Sequence, residues 1–247
     1  MAVNLLEDNS FINCKEGLVI VQQNIRSVRA NFDLFILKFQ NLIIKPHIII
    51  LTEIWIEEDE VLQYKIPRYT VFSSCNKKSR AGGVLIYMKE ELAGYRLETA
   101  EMQTADILCL EIKPEIAEPS RISVLALYRL QDYNVELFVE ELDRILSNLD
   151  CPNLVISGDV NIDLLKKTPQ LDNYLITMSS HGLFSLINQP TRVTLATSTC
   201  IDHILLRRST KFNIEYNSWV LQSEITDHRM TVLYIKCFAV SKRPPSG

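Results

Sequence analysis

Apolar runs recur along the chain: LVIVQQNI (18–25), HIIILTE (47–53), GVLIYMK (83–89), DILCLEIK (106–113), ISVLALY (122–128), NLVISGD (153–159), IDHILLR (201–207) and MTVLYIK (230–236). Several are too continuously apolar for a sheet with one wet face, and they predict strands covered on both sides. Helical spacing appears between them. Val135 to Leu149 places Phe138, Leu142, Ile145, Leu146 and Leu149 on one stripe, and Leu171 to Met178 is a shorter helix ended by His181-Gly182. Phe32 to Leu42, followed by Pro46, makes a third. Strands outnumber helices about two to one, so the pattern predicts an α/β chain built as a two-sheet β-sandwich flanked by helices, not a doubly wound single sheet.

Composition narrows this picture without changing it. The 247 residues are 47% hydrophobic and 23% charged, as in ordinary globular proteins, and no repeat or linker divides them. Residues 1–240 read as one domain and 241–247, SKRPPSG, as a disordered tail or linker. The most apolar stretch, Leu42 to Leu51, is broken by Lys45, Pro46 and His47 and falls well short of the roughly 18 residues of a membrane span. MAVNLLEDNS lacks the basic and apolar regions of a signal peptide, so a soluble chain with no membrane partner is expected. Six scattered cysteines form no Cys-x-x-Cys pair, which argues against a zinc module and a redox motif and leaves most of them expected as reduced and partly buried. A formal charge of −4 argues against coating nucleic acid but allows contact through a local basic surface. Arg26 with Arg29, Lys77-Lys78 with Arg80, and Arg207-Arg208 with Lys211 are candidates, each also readable as a solvated turn or helix face.

Four of the apolar strands end in residues that chemistry can use. They run into Asn24, Thr52-Glu53, Tyr128 and Gly158-Asp159-Val160-Asn161. Within VISGDVNID, alternation in an extended chain would point Asp159 and Asn161 to one side, with Gly158 allowing a tight turn. An EF-hand starting at Asp159 would need Gly and Glu where Leu164 and Gln170 stand, so a calcium loop is excluded. A turn in which Asp and Asn bond their own backbone remains open beside an active-site reading. Two Asp-His pairs follow, Asp202-His203 and Asp227-His228. An Asp can fix a histidine tautomer and stabilise its protonated form, and a strand-end carboxylate can hold a metal.

The ordered set QNIRS, LTEIW, RAGGVLIYM, ALY, SGDVNID, QPTRVT, STCIDHILL and TDHR resembles the endonuclease/exonuclease/phosphatase superfamily over about residues 18–236. Through NIRS, LTEIWI, GGV and STCIDHI it is most similar to the apurinic-type endonuclease domain of LINE-type, non-LTR retrotransposons. The resemblance implies a four-layer, DNase I-like fold and a Mg²⁺-dependent endonuclease, with Mn²⁺ able to substitute, that nicks duplex DNA and leaves a 3′-hydroxyl to prime reverse transcription. It implies Glu53 as direct metal ligand, with Asn24 and Asp227 completing the metal site. Asp159 would orient or deprotonate the attacking water, Asn161 would bond the scissile phosphate, and Tyr128 and His228, the latter steered by Asp202, would contact it. Arg26, Thr191 and Arg192 are the substrate-binding candidates. Hard oxygen donors suit Mg²⁺, and the lack of a Cys/His cluster argues against zinc.

Many superfamily members follow the terminal Asp-His with x-Pro, whereas Arg229-Met230 stand here. His203 follows Asp202 by one position and should face the other side of its strand, away from chemistry. Asn188 to Thr199 is either a loop that enters or flanks a DNA groove or a plain surface hairpin. The implied setting is the nucleus, with the cytoplasm also open, and a reverse transcriptase domain in the same parent polyprotein. The competing functions are abasic-site repair, inositol or lipid phosphate hydrolysis, and a non-catalytic nucleic-acid-binding module.

Overall fold

The computed structural model describes residues 17–42, 45–75, 81–113, 121–208 and 212–239. The first half contains β1 (Leu18–Asn24), α1 (Val28–Gln40), β2 (Ile48–Thr52), a 3-10 helix (Glu58–Gln63), β3 (Tyr69–Ser74), β4 (Val84–Lys89), β5 (Ala93–Leu97) and β6 (Ala105–Lys113). There follow β7 (Ile122–Arg129), α2 (Val135–Asn148), β8 (Leu154–Asp159), α3 (Pro169–Ser180), β9 (Phe184–Ser185), β10 (Arg192–Val193), β11 (Ser198–Thr199), β12 (Asp202–Arg207), β13 (Phe212–Leu221) and β14 (Met230–Ala239). Two six-stranded sheets result, ordered β13-β14-β1-β2-β4-β3 and β5-β6-β7-β8-β12-β9, with β10-β11 as a separate hairpin. Each large sheet has one parallel pair, β1 with β2 and β7 with β8, and the other pairings are antiparallel. A parallel pair needs a crossover, and α1 and α2 supply the two.

Strict alternation along the strands sorts their side chains into three apolar layers. Ile20, Ile50 and Ile86 from one sheet meet Leu110, Val124 and Val155 from the other in the central core. The alternate residues Val21, Leu51 and Tyr87 pack outward against Phe35 and Phe39 of α1, while Leu125, Ile156 and Leu205 pack outward against Phe138, Leu142 and Tyr174 of α2 and α3. The order helix, sheet, sheet, helix is the flanked sandwich predicted from the apolar runs. Each fully buried Ile or Leu stabilises it by about 1.5–3 kcal/mol. The helices begin where local chemistry favours them: the Asn134 side chain accepts from the amides of Glu136 and Leu137, and Thr168 caps α3 ahead of Pro169 at its first turn.

All eight predicted strands are present. The apolar pattern misses β3, β5 and β13, which lie at sheet edges, and the two-residue strands β9, β10 and β11. Among the described residues no helix is long and apolar enough to cross a membrane. Cys75, Cys109, Cys151 and Cys200 are free thiols, three of them buried. The tail at 241–247 lies outside the described residues, as do Lys77, Lys78, Arg80 and Lys211 of the candidate basic surfaces.

Candidate active site

The alternation that sends Ile20, Ile50, Val155 and Ile204 into the central core continues to the strand ends, where polar residues replace apolar ones. Asn24 and Thr52 face each other across the parallel pair of the first sheet, and Tyr128, Asp159 and Asp202 form one row across β7, β8 and β12 of the second. The carboxyl ends of the two parallel pairs therefore meet between the sheets, a place where α/β folds commonly bind ligands. Asn24 joins them: its Nδ2 donates to Glu53 Oε1 at 2.9 Å and to Asp159 Oδ2 at 2.8 Å. His228, just before β14, has Nδ1 at 2.9 Å from Asp202 Oδ2 and 3.9 Å from Asp159 Oδ2. Gln22 Nε2 donates to Asp202 Oδ1 at 3.1 Å, while Gln22 Oε1 accepts from Thr231 Oγ1 at 2.9 Å.

Backbone strain is concentrated here. Of the described non-glycine residues with positive φ, Arg26 (44°), Ser27 (84°), Glu53 (55°), Trp55 (55°) and Asn161 (53°) flank the site, and only Arg68 lies elsewhere. Such conformations cost about 1–3 kcal/mol each and persist where neighbours hold them. The amides of Ser27, Val28 and Trp55 are fixed on the carbonyls of Glu53, Ile54 and Gly82 at 2.8, 2.9 and 3.1 Å. Gly83, in the GGV stretch, has φ 89° and donates its amide to Asp106 Oδ2 at 2.7 Å, which ties the Glu53–Trp55 turn to the row containing Tyr128.

VISGDVNID folds differently from simple alternation. The strand stops at Asp159, and Asn161 turns to a left-handed conformation with its amide on Asp159 Oδ1 at 3.0 Å. The polar turn is thus real, and it is part of the site. The Asn161 side chain does not lie alongside that of Asp159: Nδ2 donates to the Arg129 carbonyl and Oδ1 accepts from Gln131, both at 2.9 Å. Gly158 lies within β8, where a Cβ would sit 1.8 Å from the Leu127 carbonyl oxygen, so glycine is required for close approach to β7 and not for a turn. Asp163 caps locally, accepting from the amides of Leu165 and Cys200.

Electrostatics separate the buried acids. Burial first, then the Asp202 charge, pushes the Asp159 carboxyl up to about 7, against the pull of His228 and Asn24. Burial alone would lower His228, but the charge and hydrogen bond of Asp202 outweigh it and raise the imidazole above its ordinary value. Burial, followed by the charges of Glu53 and Asp159, raises Tyr128, so its hydroxyl remains a protonated donor. Glu53, Asp159 and His228 each place a ligand atom within 4.8 Å of the others. Hard carboxylate oxygens among buried, mutually repelling acids fit a divalent cation that keeps most of its water, held by Glu53 with the Asn24 amide beside it.

Other expected site residues lie at the margin. Asp227 stands outside the trio, paired with Arg26 at 2.8 Å and Arg192 at 2.9 Å, whose side chains are 40% and 31% exposed. Thr191, expected at the substrate, is fully buried and accepts the amides of Ile201 and Asp202 at 3.0 and 2.9 Å, so it fixes the backbone of Asp202. His203 faces the opposite side, bonded to Tyr174 and the Ile162 carbonyl, and burial lowers it to about 4. Arg29 is taken up by Glu60 and the Trp55 carbonyl, and Arg207 sits at the far end of β12 from Asp202. Asn188 to Thr199 contains the β10-β11 hairpin, bridged at Arg192 to His228, with Leu195 fully exposed at its tip. Sequence reasoning passed over Gln22, Arg129 and Gln131; a polar residue inside an otherwise apolar strand, as in LVIVQQN, was the available signal for the first.

A family model described as the Endonuclease/Exonuclease/phosphatase family matches residues 16–228. No curated protein matches the chain in sequence. Among solved structures, the AP endonuclease LMAP from Leishmania major is similar with a TM-score of 0.72 and 12% identity, covering 95% of this chain and 93% of that one. The endonuclease domain of TRAS1, a telomere-specific non-LTR retrotransposon, gives 0.66 and 15%, covering 89% and 98%. The Xenopus laevis APE2 catalytic domain gives 0.63 and 18%, covering 92% and 95%. At these identities the likeness is one of fold.

Proposed function

The chain belongs to the Endonuclease/Exonuclease/phosphatase family, a family of phosphoester-cleaving enzymes, and from that premise we propose that it is a Mg²⁺-dependent DNA endonuclease, with Mn²⁺ as a substitute, that nicks duplex DNA and leaves a 3′-hydroxyl. The observation that carries this reading is the row of Tyr128, Asp159 and Asp202 closed by Asn24, Glu53 and His228 between the sheets. A phosphodiester is anionic, and its hydrolysis needs a base for water and donors for the charge that develops on oxygen. Asp159, held by Asn24 and the Asn161 amide, is the group to orient water and take its proton. His228, whose protonated form Asp202 favours, and the Tyr128 hydroxyl are donors to the phosphoryl oxygens. The remaining Nδ2 hydrogen of Asn161 is the group to bond the scissile phosphate. When bound at Glu53 and its neighbours, the divalent ion supplies positive charge that offsets the phosphate and the leaving oxygen.

The exposed margin suits a polyanionic duplex. Arg26 and Arg192, braced on Asp227, present cationic groups at the mouth of the site. Retention of a 3′-hydroxyl fits priming of reverse transcription by a non-LTR retrotransposon, with a reverse transcriptase in the same polyprotein and action on nuclear DNA; the NIRS, LTEIWI and STCIDHI stretches support this role.

With Mg²⁺ the purified protein should convert supercoiled plasmid to open circles and stop on addition of chelator. Glu53→Gln should raise the metal concentration for half-maximal rate about 10- to 100-fold, the usual penalty for weakening a metal site. Nicking that persists in chelator would defeat the metal-dependent reading. Abasic duplex, plain duplex and inositol polyphosphates assayed side by side decide the substrate, and faster turnover of either alternative than of plain duplex would replace it. Exchanging residues 193–198 for an unrelated hairpin should move the nick sites while total nicking persists; an unchanged nick map would count against the hairpin as a specificity element.

A further inference from the structure

Arg129 closes β7 one residue after Tyr128 and faces the opposite side, over the Phe138 ring of α2 at 5.9 Å. Only 5% exposed, it donates to four main-chain carbonyls: Val160 at 2.7 Å, Asn161 at 3.1 Å, Leu130 at 3.2 Å and Tyr133 at 3.0 Å. Two acceptors belong to the turn after β8 and two to the loop after β7. The turn answers through Asn161 Nδ2 on the Arg129 carbonyl, and Gln131 secures the other end of the same amide. Among the described residues no carboxylate lies within ion-pair distance of this guanidinium.

A buried cation without a counterion is costly, and an apolar side chain would pack on Phe138 at less expense. What the guanidinium alone offers is a rigid planar fork with five donors, able to bind two segments at once. The turn it binds includes Asn161 at φ 53°, whose amide holds Asp159 Oδ1 at 3.0 Å. We propose that Arg129 is a positioning residue for hydrolysis: without touching substrate, it locks the Val160–Asn161 turn in the strained shape that fixes the Asp159 carboxylate between the sheets. The inference rests on the nuclease reading of the site.

Arg129→Lys keeps the charge but loses the fork, and Gln131→Ala loosens the same turn from its exposed side. In Arg129→Lys, kcat for nicking should fall about 10- to 100-fold with KM within about threefold, since small misplacements of a reacting group cost about that much. The Asn161 amide should exchange hydrogen faster while the amides of β8 stay protected, and Gln131→Ala should show the same pattern to a smaller degree. A lysine variant that unfolds, keeps its kcat, or loses rate only through KM overturns the proposal. So does unchanged exchange at Asn161. Exchange reads the turn without any substrate, so a wild-type protein that nicks nothing would sink the nuclease reading separately.

Discussion

Asp159→Asn should lower the nicking rate about 10³-fold or more and leave the protein folded, the size of loss that follows removal of a general base. The substitution keeps the volume of a fully buried side chain and one of its two acceptors, for Asn24 Nδ2 or for the Asn161 amide. Loss of the other acceptor is offset by removal of a charge that burial and Asp202 disfavour. The offset has a pH signature. The Asp159 carboxyl stands at about 7 in the folded protein against 3.8 for the ordinary group, so the folded state holds this proton more tightly. Without metal, the wild type therefore loses stability from this group as pH rises from 3.8 toward 7, and the variant does not. Thermal melts in chelator between pH 5 and pH 8 should show the difference in Tm moving in favour of Asp159→Asn as pH rises, by a few degrees for a chain of this size. A pH-independent difference would contradict the environment described for the carboxylate, and wild-type nicking by the variant would remove Asp159 from the chemistry.

Asp202→Asn should cost about 10²- to 10³-fold in rate through a different route. Asp202 accepts from His228 Nδ1 at 2.9 Å and from Gln22 Nε2 at 3.1 Å, so one carboxylate orients the imidazole and is itself oriented from the other sheet. An amide there offers the ring a neutral or mismatched partner and no longer favours its proton. Since Asp202 is what raises His228 above its ordinary value, the alkaline limb of the pH–rate profile should move to lower pH in the variant. The stability linked to His228 runs in the same sense: it is fully present below the ordinary value of 6.5 and is lost as pH rises through the higher folded value. An alkaline limb that stays in place would show that His228 does not act as an imidazolium.

Much of this architecture was legible because it is written in apolar continuity. Strands buried on both faces, such as HIIILTE and NLVISGD, announce themselves and mark their own ends by the first polar residues, so Asn24, Glu53, Tyr128 and Asp159 could be singled out before any fold was known. Edge strands lack that signal: AGYRL is largely exposed, and FNIEYNSWVL mixes polar and apolar positions up to its buried end at Val220 and Leu221. Residue roles set by long-range partners were illegible for another reason. Nothing in QPTRVT says that the Thr191 hydroxyl will receive the two amides that lead into β12, or that Arg192 will claim Asp227. The alternation argument for Asp159 and Asn161 failed where the chain left the extended conformation: Asn161 takes a left-handed φ, its amide bonds back to Asp159 Oδ1, and Arg129 from β7 binds the Val160 and Asn161 carbonyls.

The bonds that assemble the site tie distant parts of the chain: Asn24 and Asp159 are 135 residues apart, Gln22 and Asp202 are 180 apart, and Gln22 and Thr231 are 209 apart. The first two run from one sheet to the other. Neither sheet alone contains a site, and a molecule in which both have formed but not yet closed face to face is as inert as an unfolded one. Loop closure over such separations is slow compared with helix or hairpin formation. Catalytic competence is thus a property of the closed sandwich and of neither sheet by itself.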